Sequence, residues 1–194
     1  MPRHEPQTRE RIIMGAADLI RRRGLAGSTV RDLATHSGAP LGSTYHYFPR
    51  GKQQLAAEAV RYAGDLVSRS LSRELQAGPI AGLRAFLALW RQIVFDSDFT
   101  AGCPVLAVAV EEPPADTDPE AINAGADVFT AWENLLAGSL HDHGVPTGQA
   151  AQLATLIVAA VEGTVAMCRA KRDIAPLDAV AAQLETLITT TIRT

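Results

Sequence analysis

Apolar residues recur at three- and four-residue intervals through almost every segment of this 194-residue chain, which is the period of an α-helix. No segment reads as a convincing strand. Ala and Leu are abundant, β-branched runs are few and aromatic residues make up only 5%, a balance that favours packed aliphatic helices. With 47% hydrophobic residues the chain has ample material for a core. The expected fold class is all-α, with about nine helices.

Gly, Pro and capping residues divide the chain. A first helix is expected from Gln7 or Thr8 to Arg23, burying Ile12, Ile13, Ala16, Ala17, Leu19 and Ile20. Arg21, Arg22 and Arg23 suit the negative end of its dipole, and Gly24 suits a left-handed C-cap. Thr29-Val30-Arg31-Asp32 reads as a capping box that starts a helix of about two turns, with Leu33 and Ala34 inward and Gly38 as its stop. A short helix over 41–48 follows. Pro49-Arg50-Gly51 breaks it, and a long amphipathic helix begins at Lys52 and runs to about Gln76. Short helices joined by a tight Gly-containing turn make a helix-turn-helix unit. Later helices are expected over 80–95, over 120–141, from a Thr147 cap to about Lys171, and from Asp178 to about Ile192. Residues 103–110 form a short apolar piece, and 112–119 an acidic, proline-rich connection.

The net charge of −3 conceals an asymmetry. Residues 1–52 carry nine Lys and Arg against four acids, or +5, while the remaining 142 carry nine basic and seventeen acidic residues, or −8. A basic quarter on an acidic body points to a polyanion at one end, or to an ordinary solvated face. The polar opening has no apolar core of a signal peptide. Glu162 interrupts the most apolar run, 153–167, and two cysteines are too few for a disulfide framework. These features point to the cytosol and to no membrane partner.

Residues 37–48, SGAPLGSTYHYF, carry the most specific chemistry. A helix entering the DNA major groove needs small residues near its start and polar tips aimed at phosphates and base edges. Leu41, Gly42, Ser43 and Thr44 meet both needs. Tyr45, His46 and Tyr47 add hydrogen-bonding tips on ring bodies, and Lys52 stands at a helix start where a phosphate is welcome. Phe48 packs the three helices together. For Tyr45 and Tyr47 the alternative is packing against the first helix, and for Lys52 a solvated surface position.

This stretch closely resembles the TetR family of bacterial repressors: a helix beginning Thr-Val-Arg-Asp-Leu-Ala, a Gly turn, a recognition helix ending Tyr-His-Tyr-Phe, and a Lys four residues later. The run from Tyr47 to Leu55 looks most like the LmrA/YxaF branch, which regulates multidrug efflux and related genes. The close resemblance covers residues 8–60. It implies a DNA-binding domain over 1–52 and a ligand-binding and dimerisation domain over 53–194. It further implies that Thr29 and Arg31 touch phosphates, that Ser43, Thr44, Tyr45 and Tyr47 line the groove, and that His46 and Lys52 flank it. Pro40 stands where many relatives place a Ser or Thr to cap the recognition helix; proline suits a first helical turn but brings no hydroxyl to cap it or to meet a phosphate. Residues 147–171 and 178–192 would form a four-helix bundle with a second copy, so that a homodimer reads a near-palindromic duplex.

A small lipophilic effector is expected among the middle helices, where Phe86, Trp90, Phe95, Phe99, Cys103, Leu106, Val110, Phe129, Trp132 and Met167 either line a pocket or fill the core. Glu111, Asn134 and Glu162 either fix a ligand or face water. His141-Asp142-His143, followed by Gly144 and Pro146, reads as a helix end rather than a metal site, and Cys103 as a buried thiol rather than a redox switch. No nucleotide-binding loop or nucleophile constellation occurs, so neither an enzyme nor a cofactor is expected. The rival reading is a helical lipophile carrier or enzyme with a coincidental helix-turn-helix motif.

Overall fold

The computed structural model describes residues 5–112 and 118–192. Residues 113–117 of the expected acidic connection, and Arg3 of the basic segment, lie outside them. The described residues form nine helices and no strand: α1 (Glu5–Arg23), α2 (Val30–His36), α3 (Leu41–Tyr47), α4 (Lys52–Leu75), α5 (Pro79–Asp96), α6 (Pro104–Ala109), α7 (Glu120–Asp142), α8 (Thr147–Lys171) and α9 (Ala175–Ile192). The all-helical expectation holds.

Local chemistry explains most of the boundaries. Gly24 (φ 76°) and Gly38 (φ 65°) close α1 and α2 in the left-handed region, where a side chain is strained. Pro79 opens α5 at its first position, where a missing N–H costs nothing. Helix α1 begins at Glu5, ahead of the expected Gln7 or Thr8, and the starts of α8 and α9 also differ from the expectation. Pro146, not Thr147, is the N-cap of α8; its extended backbone (φ −55°, ψ 139°) does the work without a side-chain hydrogen bond. Helix α9 begins three residues earlier, at Ala175, because the Asp173 carboxylate accepts its N–H at 3.0 Å and Pro176 fits a first turn.

Two compact units emerge. The first comprises the described parts of Met1–Asp65 and Cys103–Val128, and the second comprises Leu66–Gly102 and the described part of Phe129–Thr194. Helices α4 and α7 each give their first part to one unit and the remainder to the other.

In the first unit α1 packs against α2, α3 and α6. The α1 stripe of Ile12, Ile13, Ala16, Ala17, Leu19 and Ile20 is buried as expected, and Leu33, Phe48, Leu55, Val105 and Val108 of the same unit are buried as well. Gly15 permits the close approach of α1 to the end of α2, since a Cβ there would lie 2.5 Å from Ser37 Cβ.

In the second unit α5, α8 and α9 pack on one another. Phe86, Trp90 and Trp132 are fully buried and meet edge to face, with ring centroids 5.8–6.3 Å apart. Arg84–Glu185 and Arg91–Asp178 pair α5 to α9 at the surface. Helix α8 is long and apolar enough to cross a membrane by composition alone. Half of that stretch is buried inside the protein and it carries Glu162, which marks a core helix.

Candidate nucleic-acid interface

The reading head is assembled from short-range rules. Thr29 and Asp32 close the capping box: Asp32 N–H donates to Thr29 Oγ1 at 3.1 Å, and the Thr29 N–H and hydroxyl donate to Asp32 Oδ2 at 2.8 and 2.6 Å. The Thr29 hydroxyl, foremost among these bonds, holds the Asp32 carboxyl below its ordinary range. The Thr29 proton is therefore committed within the cap. Leu33 and Ala34 anchor α2 inward.

The turn follows at once. Ser37 Oγ and Ala39 N–H both donate to Ala34 O, at 2.8 and 3.0 Å, and Gly38 N–H donates to Thr35 O at 3.1 Å. Pro40 then serves as N-cap of α3 through backbone geometry alone, with no side-chain cap.

Helix α3 has two distinct sides. Thr44 is fully buried, with N–H and hydroxyl both directed to Pro40 O at 3.2 and 3.3 Å, and Phe48 is buried beyond it. Thr44 is thus a packing residue turned away from the face on which Gly42, Tyr45 and His46 are exposed. Tyr45 is 52% exposed, too open for a core role. Leu41, Ser43 and Tyr47 are half-buried, with the Tyr47 ring set edge-on to His46 at 5.2 Å. Arg31 and Thr29 are exposed on α2 and its cap. Lys52, half-buried, opens α4 and borders a cleft of about 100 Å³ with Leu25, Ala26, Val108, Glu111 and Ala121.

Much of the basic charge of this unit is used internally. Arg9 pairs with Glu58 and lies over the Phe48 ring at 5.4 Å. Arg21 and Arg22 both meet Asp18, which His36 also approaches at 2.7 Å. Burial alone would raise the Asp18 carboxyl, but hydrogen bonds from Arg22, Arg21 and His36 outweigh it and hold the pKa at about 2. Arg50, in the α3–α4 turn, binds both oxygens of Glu120 at 2.9–3.0 Å, and Arg61 reaches the same carboxylate at 3.4 Å. The Asp18 pairs with Arg21 and Arg22 are local, three and four residues apart on α1, whereas the pairing of Arg50 with Glu120 joins positions 70 apart and lies beyond sequence reading.

The expected effector residues are dispersed. Cys103, Leu106 and Val110 belong to the first unit and the other seven to the second. Phe86, Trp90, Phe129 and Trp132 come together, Phe129 lying 5.7 Å from Trp132. Phe95, Val110 and Met167 lie on the surface, 64%, 73% and 48% exposed, and Phe99 is half-buried beside Phe95. Of the expected polar fixing points, Glu162 is buried, Asn134 is exposed and Glu111 is bonded to the α1–α2 turn. A donor the sequence reading overlooked is Trp90 Nε1, buried and without a hydrogen-bond acceptor among the described residues. Cys103 is buried at the N-cap of α6, its Sγ accepting from Leu106 N–H at 3.5 Å. His141 and His143 turn Nδ1 toward the carbonyls of Val145 and Ser139, at 3.2 and 2.8 Å.

Residues 12–59 match the model of bacterial regulatory proteins of the tetR family, and residues 79–183 match the C-terminal domain of LmrA/YxaF-like transcriptional regulators. The HTH-type transcriptional regulator Rv0196 of Mycobacterium tuberculosis is 40% identical over 93% of both chains. The regulator YxaF of Bacillus subtilis is 30% identical over 93% of this chain and 95% of its own. In fold, a TetR transcriptional regulator from Legionella pneumophila superposes with a TM-score of 0.82 at 21% identity, covering 92% of this chain and 95% of that one. With a helix-turn-helix built and capped as described, and relatives that align along nearly its whole length, the chain belongs to the TetR family of transcriptional regulators, in the branch with an LmrA/YxaF-like C-terminal domain.

Proposed function

We propose that the protein is a cytosolic homodimeric repressor that occupies a near-palindromic operator and leaves it when a small lipophilic effector binds. The observation that carries the DNA reading is the two-sided α3. Thr44 and Phe48 lock one side inward, and Gly42, Tyr45 and His46 stand free on the other, beside the exposed Arg31. Residues 1–52 serve as the reading head and 53–194 as the effector and dimer domain. Ser43, Tyr45 and Tyr47 read the groove, with Leu41 and Gly42 allowing close approach. Arg31, His46 and Lys52 take phosphates, and Thr29 contributes mainly by capping α2. A dimer seated across a promoter excludes polymerase by occupancy, which makes repression the direct outcome of binding.

The second unit supports the effector reading through its aromatic cluster of Phe86, Trp90, Phe129 and Trp132 and the orphan Trp90 N–H, a donor suited to a carbonyl or hydroxyl of an otherwise apolar molecule. Helices α8 and α9 form the dimer face: Leu156 and Leu187 are 46% and 38% exposed there. Effector binding favours a conformer whose two reading heads no longer match successive turns of the duplex, with a coupling of about 1–3 kcal/mol.

The test is selection of duplexes from a random-sequence library, followed by affinity measurement at several salt concentrations. A near-palindromic consensus is expected, with binding that weakens steeply with salt and is lost in Tyr45→Ala and Lys52→Ala. Retention of full affinity in both variants would remove the groove assignment. A monomer by light scattering at micromolar concentration would remove the dimer.

A further inference from the structure

We infer that Glu111, just past the end of α6, is a positioning residue for DNA reading, its carboxylate seating the α1–α2 turn. The inference rests on the proposal that the exposed faces of α2 and α3 bind DNA. Its two oxygens accept separate backbone hydrogen bonds: Leu25 N–H donates to Oε1 at 2.7 Å and Ala26 N–H to Oε2 at 2.6 Å. Successive N–H groups following a left-handed residue form a concave nest that favours an anion, and Gly24 is that residue, at φ 76°. Gly24 also makes the space, since a Cβ there would lie 2.5 Å from Glu111 Oε1. The socket is thus specified twice, by backbone conformation and by the absence of a side chain.

Glu111 is tied on both sides, by its backbone to α6 and by its carboxylate to the turn. Glu111 N–H donates to Val108 O at 3.2 Å, tying it to α6, which packs against α1. On the other side the turn leads straight into the reading head. Ser28 Oγ donates to Gly24 O at 3.0 Å, Ser28 N–H to Leu25 O at 3.1 Å, and the next residue, Thr29, caps α2. Charge-assisted hydrogen bonds of this kind are among the stronger polar contacts, and this one joins positions 86 and 85 residues apart. Withdrawing Glu111 leaves two N–H groups unmatched and frees the turn that aims α2 and its Arg31. Those N–H groups need two acceptors, so a glutamine, which offers one oxygen and one NH2, sets donor against donor.

The test uses the full-length protein and a duplex selected from a random-sequence library by the wild type. Glu111→Gln is compared with Glu112→Gln, which removes the same charge from the adjacent exposed position and so controls for general repulsion of DNA. Affinity for the selected duplex is expected to fall about tenfold in E111Q and to stay within about twofold in E112Q. Binding to an unrelated duplex should be equal in both. Amide exchange at Leu25 and Ala26 should accelerate in E111Q alone, while urea unfolding and circular dichroism report folded protein. Equal affinities for the selected duplex in the two variants would reduce the tether to a structural contact, and unchanged exchange would remove the clamp; either overturns the inference while DNA binding stands. If the wild type selects no duplex, the DNA-binding proposal and this inference fall together.

Discussion

Gly64 of α4 and Val128 of α7 meet where no side chain fits between them: a Cβ on Gly64 would lie 2.6 Å from Val128 Cγ1. Val128 is branched and buried, so it cannot swing aside. Gly64→Ala is expected to destabilise the protein by about 1–3 kcal/mol through overpacking, despite the better helix propensity of alanine. Adding Val128→Ala should recover part of that loss. Urea unfolding of the single and double variants measures the coupling, and simple additivity would disprove the close approach.

Asp18 gathers Arg21, Arg22 and His36, and its pKa of about 2 lies below the ordinary 3.8. A carboxyl depressed in the folded state adds stability that is complete above the unfolded pKa and is lost as pH falls through the folded one. Asp18→Asn should therefore cost about 1 kcal/mol near pH 7, after allowance for solvent screening. The gap between variant and wild type should close between about pH 4 and pH 2. Unfolding midpoints at three pH values follow it, and a gap independent of pH would contradict the assignment.

Tyr45 and Thr44 are neighbours with opposite duties. Tyr45→Ala is expected to abolish binding to the selected duplex while shifting stability by less than about 0.5 kcal/mol, since the ring is half exposed. Thr44→Ala removes a buried side chain bonded to Pro40 O and should lower stability by about 1–2 kcal/mol, with the loss of DNA affinity following the loss of fold. Thermal unfolding alongside anisotropy separates the two.

Trp90 and Trp132 share one aromatic cluster and differ in what they should lose. Trp132→Ala opens a cavity and should cost about 3–5 kcal/mol. Trp90→Phe keeps most of the ring and deletes an orphan N–H, so stability should change by less than about 1 kcal/mol. DNA release by an aromatic carbonyl compound found in a screen should nevertheless require about tenfold more compound in that variant. Unaltered release would dissociate the Trp90 N–H from effector binding.

Helix content, most helix bounds and the motif that carries the family were legible because they depend on neighbours in the chain. The stop at Gly24 and the Thr29–Asp32 box are contacts within about four residues, and the 3.6-residue period places the α1 stripe on one helix face, which the structure buries. Pro146 as cap of α8 and the earlier start of α9 escaped, since extended proline geometry and an Asp173 acceptor two residues before the helix compete with commoner caps.

The sequence by itself determined an all-helical chain, a capped helix-turn-helix and membership of the TetR family. Periodicity and capping act locally, and a motif of this specificity survives without knowledge of packing. Only the tertiary structure decided which way each side chain of that motif faces and which distant carboxylates restrain it. Thr44 turns inward because Pro40 O and the core claim it, and Phe95, Val110 and Met167 lie outside the core that their apolar character suggested. Glu111 sits in the Gly24 turn and Glu120 holds Arg50. Such pairings depend on the order in which helices stack, which no helical period encodes.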